Sequence, residues 1–159
     1  MFAPALVMAL LAQQPAPCPI ALPNGSAVRG GFAPSPSLPD FTIRNREKSP
    51  VLVKLEQTGR GEDHIYFIDA EAEMTIRGVP LGSYFVSVAV NGRFAPDCRT
   101  LASATAIYRF DEPFAFTSKT IQNPDGSFDT QMEGHWIELG DANRNDAGAA
   151  PISVTAFNG

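Results

Sequence analysis

The residue types best suited to chemistry are few: two cysteines, two histidines, one tryptophan and a short acidic run. Asp141, Asn143, Asn145 and Asp146 place oxygen side chains as the first half of a calcium loop would. Asp146 then stands where the sharp turn needs glycine, and Ile152 where a bidentate glutamate belongs. A polar turn is the expectation. His64 and His135 lie far apart with no paired His/Cys spacing, so neither a metal nor a cofactor is expected. They are expected on a sheet surface or partly buried. Cys98 sits beside Pro96 and Asp97, where nothing would lower a thiol pKa. The chain lacks a Gly-x-Ser-x-Gly elbow, a His-Glu-x-x-His helix and a phosphate-cradling glycine loop. The carboxylate pairs Glu62-Asp63, Glu71/Glu73 and Asp111-Glu112 fall at turns or on polar faces. No catalytic residue is expected.

Trp136 is flanked by His135 and followed by Ile137, Glu138 and Leu139. The alternation sets Trp136 and Glu138 opposite Ile137 and Leu139. That pattern could expose Trp136 on a sheet face, as a ligand-stacking aromatic. The opposite register would bury it, and a core position is favoured because large aromatics are mostly buried.

Cys18 and Cys98 are an even pair, which invites a disulfide in an oxidising compartment. The alternatives are two free thiols, or loss of one with processing. Residues 1–12 are apolar and uncharged, too short to span a bilayer but of a length suited to a secretory signal. Export to a periplasmic or extracellular space is expected, with no transmembrane span. Residues 13–39 hold seven of the fourteen prolines. They read as an extended linker with a single strand near Ala27–Arg29. Asn24-Gly25-Ser26 fits a glycosylation triplet, but Asn-Gly is also a turn pair, and the turn is expected.

These residues need elements to position them, and the patterning is that of strands. One domain is expected over residues 40–159. Runs near 41–44, 51–55, 64–69, 72–77, 83–91, 105–110, 113–121, 130–139 and 152–157 alternate or are uniformly apolar. The first two look like a hairpin. The best helix candidate, Leu101–Ala106, is a turn or two long. The expected fold is all-β, an antiparallel β-sandwich of about eight or nine strands.

The most ordered stretch is Gly78-Val79-Pro80-Leu81-Gly82-Ser83-Tyr84, between two alternating runs. Pro80 presets φ at the second turn position and Gly82 suits the fourth. Tyr84 can bury its ring and pass its hydroxyl back to the turn. This corner resembles one in immunoglobulin-like sandwiches, most closely fibronectin type III domains and the transthyretin-like (prealbumin-like), carboxypeptidase-regulatory-like domains. The resemblance implies that 72–77 and 83–91 take the places of strands E and F. It implies no activity, because such domains are mostly spacers, binders or accessory modules. Nearly seventy residues follow strand F, where a fibronectin-type domain needs one more strand. Any local function is expected there.

A net charge of −5 with singly scattered basic residues argues against nucleic acid. The reading is a non-enzymatic exported module with a binding or structural role in a cell envelope, its partner a protein or a carbohydrate. The alternatives are a carbohydrate-binding module, which needs Trp136 or Tyr66 exposed on a flat face, and a small secreted hydrolase or metal-dependent enzyme. The last needs His64, His135, Asp141 and Asp146 to converge in one cleft.

Overall fold

Alternation builds nearly every element of the computed structural model, which describes residues 18, 22–140 and 148–159. The strands are β1 (Ala27–Arg29), β2 (Phe41–Asn45), β3 (Val51–Gln57), β4 (Asp63–Ile68), β5 (Glu73–Ile76), β6 (Gly82–Val90), β7 (Arg93–Phe94), β8 (Leu101–Ser103), β9 (Ala106–Phe110), β10 (Phe114–Gln122), β11 (Phe128–Glu133), β12 (His135–Leu139) and β13 (Ala149–Pro151). One helix, α1 (Val154–Asn158), follows. Nine of these strands are four residues or longer, so the all-β expectation and its strand count hold.

The larger sheet runs β1-β4-β3-β6-β10-β11, with β9 also on β6 and β13 beside β9. β6 is its axis. One edge of β6 pairs with β3 along Val90 to Tyr84. Its other edge is shared: β9 takes Ser87–Val90 and β10 takes Gly82–Tyr84. Asp111-Glu112-Pro113 interrupts the chain between those two partners, because proline removes a ladder donor. The smaller sheet is β12-β2-β5. Its β2–β5 pair is antiparallel, but β12 and β2 run parallel, an exception in an otherwise antiparallel fold.

The two sheets face each other across the main core. Val51, Val53 and Leu55 of β3, and Tyr84, Val86, Val88 and Val90 of β6, meet Phe41, Ile43, Ile76, Ile137 and Leu139 of the smaller sheet. The opposite side chains of the same strands build a second core. Leu52, Ile65 and Ala89 pack under Phe94, Leu101 and Phe157. The β4-β3-β6 part of the larger sheet is therefore covered on both faces, which explains the more uniformly apolar look of 64–69 and the apolar Leu52 between the alternating positions of 51–55.

The Gly78–Tyr84 corner carries the chain from β5 in one sheet to β6 in the other. Tyr84 is fully buried, and its hydroxyl donates to the Pro80 carbonyl at 3.1 Å. Gly78 has φ +72°, and a Cβ there would lie 2.6 Å from Ser35 N, so no other residue fits.

Three local expectations are corrected. β2 and β3 are not a hairpin, since they belong to different sheets. Asn45, buried between them, satisfies the crossing by donating to the Ser49 and Asp69 carbonyls and accepting from Glu47 N. Leu101–Ala106 is not helical; it contains β8 and the start of β9. Residues 154–157, expected in a strand, lie in α1. Ser153 caps it by accepting from Ala156 N, and Phe157 fills the second core.

The single strand expected in the proline-rich segment is β1, antiparallel to β4. The described part of that segment also donates Gly25 N to the Phe67 carbonyl and Phe32 N to the Tyr66 hydroxyl. Asn24 sits in a turn, where its side chain donates to the Glu73 carbonyl and accepts from Asp69 N. Cys18 and Cys98 are joined in a disulfide with their Cα atoms 5.2 Å apart. For a loop this long the chain-entropy stabilisation is about 4 kcal/mol.

Candidate functional site

The outer face of the smaller sheet follows from its register. Trp136 lies opposite Thr42, and Thr42 opposite Thr75; the next outward row is Glu138, Arg44 and Glu73. Phe41, Ile43, Ile76, Ile137 and Leu139 alternate with them and fill the core, so these six side chains turn outward. Each row spans about 10 Å, two strand spacings.

Trp136 is 66% exposed. The expectation that favoured a buried indole is thus overturned, and the physical reason is register. The Ile137 and Leu139 side of β12 is the one the core takes. Gly134 sets that register: a Cβ there would lie 2.2 Å from the Asp40 carbonyl oxygen, so only glycine lets β12 start beside Phe41.

Side chains link neighbours within each row, and Arg46 joins from the end of β2. Thr42 and Thr75 share a hydroxyl hydrogen bond at 3.0 Å. Arg44 Nε donates to Glu73 at 2.6 Å, and Arg46 pairs with Glu138 at 3.1 Å. The Arg44 guanidinium lies 5.7 Å from the Trp136 ring centre. The result is an outward sheet face with one indole held beside a cation and bordered by hydroxyls and carboxylates. Such a face offers a π surface for polarised C–H groups and both donors and acceptors for hydroxyls. These six side chains include no nucleophile paired with a base.

The histidines do not join this face or each other. His64 Nδ1 accepts from Gly31 N at 3.1 Å, and its ring lies 4.0 Å from that of Phe32. Burial lowers the His64 pKa, with Glu62 and Asp63 acting in the opposite direction. His135 Nε2 is 2.7 Å from the Ala115 carbonyl, which can only accept, so that nitrogen carries the proton. Between the two imidazoles runs a chain of rings: Phe32 to Tyr84 at 5.9 Å, Tyr84 to Phe116 at 5.6 Å, and Phe116 to His135 at 4.9 Å. Three aromatic side chains thus separate His64 from His135, which the hydrolase or metal-dependent alternative needs in one cleft. Tyr66, the other aromatic considered for a flat face, is buried. The calcium-like run at Asp141–Asp146 lies outside the described residues. Among the described residues no group of three or more His, Cys, Asp or Glu could hold a metal ion.

Sequence reasoning missed a second polar constellation, on the other face of the larger sheet. Lys54 is 1% exposed, and its Nζ donates to the Phe157 carbonyl at 2.8 Å. Asp63 and Glu56 carboxylates lie 3.6 Å away. Arg29 binds Asp63 at 2.8 Å, and Arg109 lies 4.1 Å from the Phe85 ring centre. The signal was a lone cation inside the Val51–Leu55 run. Its carbonyl partner ties down the last turn of α1, so the cluster anchors the C-terminal segment rather than opening to a ligand.

Three shallow depressions lie between Pro34 and Arg77, between Arg46 and Thr105, and between Phe32 and Met74. None of these three is lined by Trp136 or by a histidine. Among the described residues no helix is long and apolar enough to cross a membrane. Comparison of the chain with protein-family models, with curated proteins and with solved structures finds no match.

Proposed function

We propose that this chain is a non-enzymatic, exported binding module of a cell envelope, and that its ligand is a carbohydrate held on the outer face of the smaller sheet. The observation that carries the reading is the exposure of Trp136 on the outer sheet face, in one row with Thr42 and Thr75 and beside Arg44. A sugar ring presents C–H groups on one side and hydroxyls around its rim. The indole suits the first, and the threonine, arginine and glutamate side chains suit the second. Export is supported by the Cys18–Cys98 disulfide, since disulfides persist in oxidising compartments. Residues 1–12 supply the signal in this reading, and residues from about 40 onward the sandwich. Kinship with immunoglobulin-like or transthyretin-like domains is supported by the Tyr84 corner, which makes the expected bond to Pro80.

Retention on insoluble polysaccharides tests the proposal. The intact chain should be retained on at least one of cellulose, chitin or peptidoglycan, and Trp136→Ala should pass through while keeping its thermal midpoint. Equal retention of Trp136→Ala would place binding elsewhere.

A further inference from the structure

β10 and β11 leave the body of the protein as a two-stranded ribbon. Only Phe114–Phe116 of β10 pair with β6; Thr117–Gln122 pair with β11 alone. Its tip is a turn at Asn123–Ser127, with Asn123 N donating to the Ser127 carbonyl and Gly126 N to the Asn123 carbonyl. Both faces are largely exposed, Phe128 by 66%. A lone two-stranded ribbon is marginal in water. β11 ends the sheet and carries no proline and no lysine; its only charges are the carboxylates of Asp129 and Glu133.

The bond from Asn123 N to Ser127 fixes which groups are free. Opposed residues alternate between hydrogen-bonded and non-bonded pairs. Asp129, Gln131 and Glu133 therefore turn their main-chain groups toward β10, and Phe128, Thr130 and Met132 turn theirs to the open edge.

We infer that this edge pairs with the same edge of a second copy of the chain, antiparallel and centred on Thr130. The free groups allow only registers in which Phe128, Thr130 and Met132 oppose one another. Centring on Thr130 sets Phe128 against Met132 of the second copy, Asp129 against Gln131, Thr130 against itself and Glu133 against Ser127. Apolar meets apolar, and each carboxylate meets a neutral donor. Sliding the copies by two residues one way opposes Asp129 to Asp129, and the other way Asp129 to Glu133, which like charge disfavours. The centred register is also the one of fullest overlap, giving about six main-chain hydrogen bonds across a two-fold axis. The outer edge of β10 offers only Ser118, Thr120 and Gln122 for the same purpose, with no apolar pair. The product is a four-stranded sheet, β10-β11-β11-β10, with the Phe128 and Met132 side chains of both copies clustered on one face.

The test uses the full disulfide-bonded chain. Sedimentation from micromolar to millimolar concentration should show a monomer–dimer equilibrium. Thr130→Pro removes an edge N–H that β10 does not use, and should weaken the dimer at least about tenfold, the loss of two hydrogen bonds. Thr130→Cys should form a covalent dimer on mild oxidation, because Cα atoms of a bonded antiparallel pair lie about 5.5 Å apart, within disulfide reach. Lys119→Cys, on the inner strand, should not. A wild-type chain that stays monomeric throughout, undiminished association of Thr130→Pro, or equal cross-linking of the two cysteine variants would each overturn the pairing and leave the edge to another partner.

Discussion

Lys54 Nζ donates to the main-chain carbonyl of Phe157 at 2.8 Å, so a side chain from the middle of β3 holds the last turn of the C-terminal helix. A five-residue helix has no stability of its own and exists here through its docking. The ammonium is buried with Asp63 and Glu56 within 3.6 Å, and breaking such a group costs more than the pair contributes. Lys54→Ala should destabilise the protein by about 3–5 kcal/mol in urea denaturation. Lys54→Met keeps the volume and should cost less, yet should speed amide exchange at Phe157, whose N–H bonds Ser153. Unchanged protection of Phe157 in Lys54→Met would show that the aromatic ring alone docks the helix.

Tyr84 provides a second check. Its ring is enclosed by Phe32 and Phe116, and its hydroxyl reaches the Pro80 carbonyl. Tyr84→Phe keeps the ring and removes the bond, so it should lower stability by about 1 kcal/mol and leave ligand binding intact. Stability equal to wild type would mean the corner bond contributes nothing, and with it the resemblance to the familiar sandwiches would lose its physical content.

The loop that carries Cys98 has a pH signature. The Asp97 carboxylate accepts from the Thr100 hydroxyl, and from Thr100 N and Arg99 N at 2.9 Å each. The Thr100 hydroxyl bond leads these in drawing its pKa from the ordinary 3.8 down to about 2. A depressed carboxylate pKa stabilises the fold above the unfolded value. The contribution is complete above pH 3.8 and is lost as the pH falls through about 2. Carbon-detected NMR should find Asp97 titrating near the lower value, with the amides of Arg99 and Thr100 moving in step. Titration at its ordinary value would show that the cap does not form in solution.

Much of the fold was legible because burial on a sheet writes a period of two. β3, β4, β6 and β9 all fell where alternation or an apolar run placed them, and the corner at Tyr84 was readable from proline, glycine and tyrosine spacing. The misreadings share a cause. Residues 130–139 read as one strand, but Gly134, forced against Asp40, ends a solvent-exposed ribbon and begins a core strand of another sheet. Period-two patterning cannot say which sheet a strand joins, so β2 and β3 looked like a hairpin. The Ile152–Phe157 run alternates like a strand, yet Ser153 caps a helix there and Lys54, distant in sequence, holds it. The candidate site was half visible: alternation put Trp136 opposite Ile137 and Leu139, but only the register of β12 on β2 decided which side faced the core.

Trp136 is the only tryptophan in the chain, so its fluorescence reports on the candidate site alone. Titrating the intact protein with soluble oligosaccharides derived from cellulose, chitin and peptidoglycan, and following the indole emission, tests whether a sugar stacks on Trp136. The free protein should emit in the red, as a water-exposed indole does, with a saturable blue shift or quench on addition of at least one of these sugars. An emission that none of them changes would contradict stacking on Trp136.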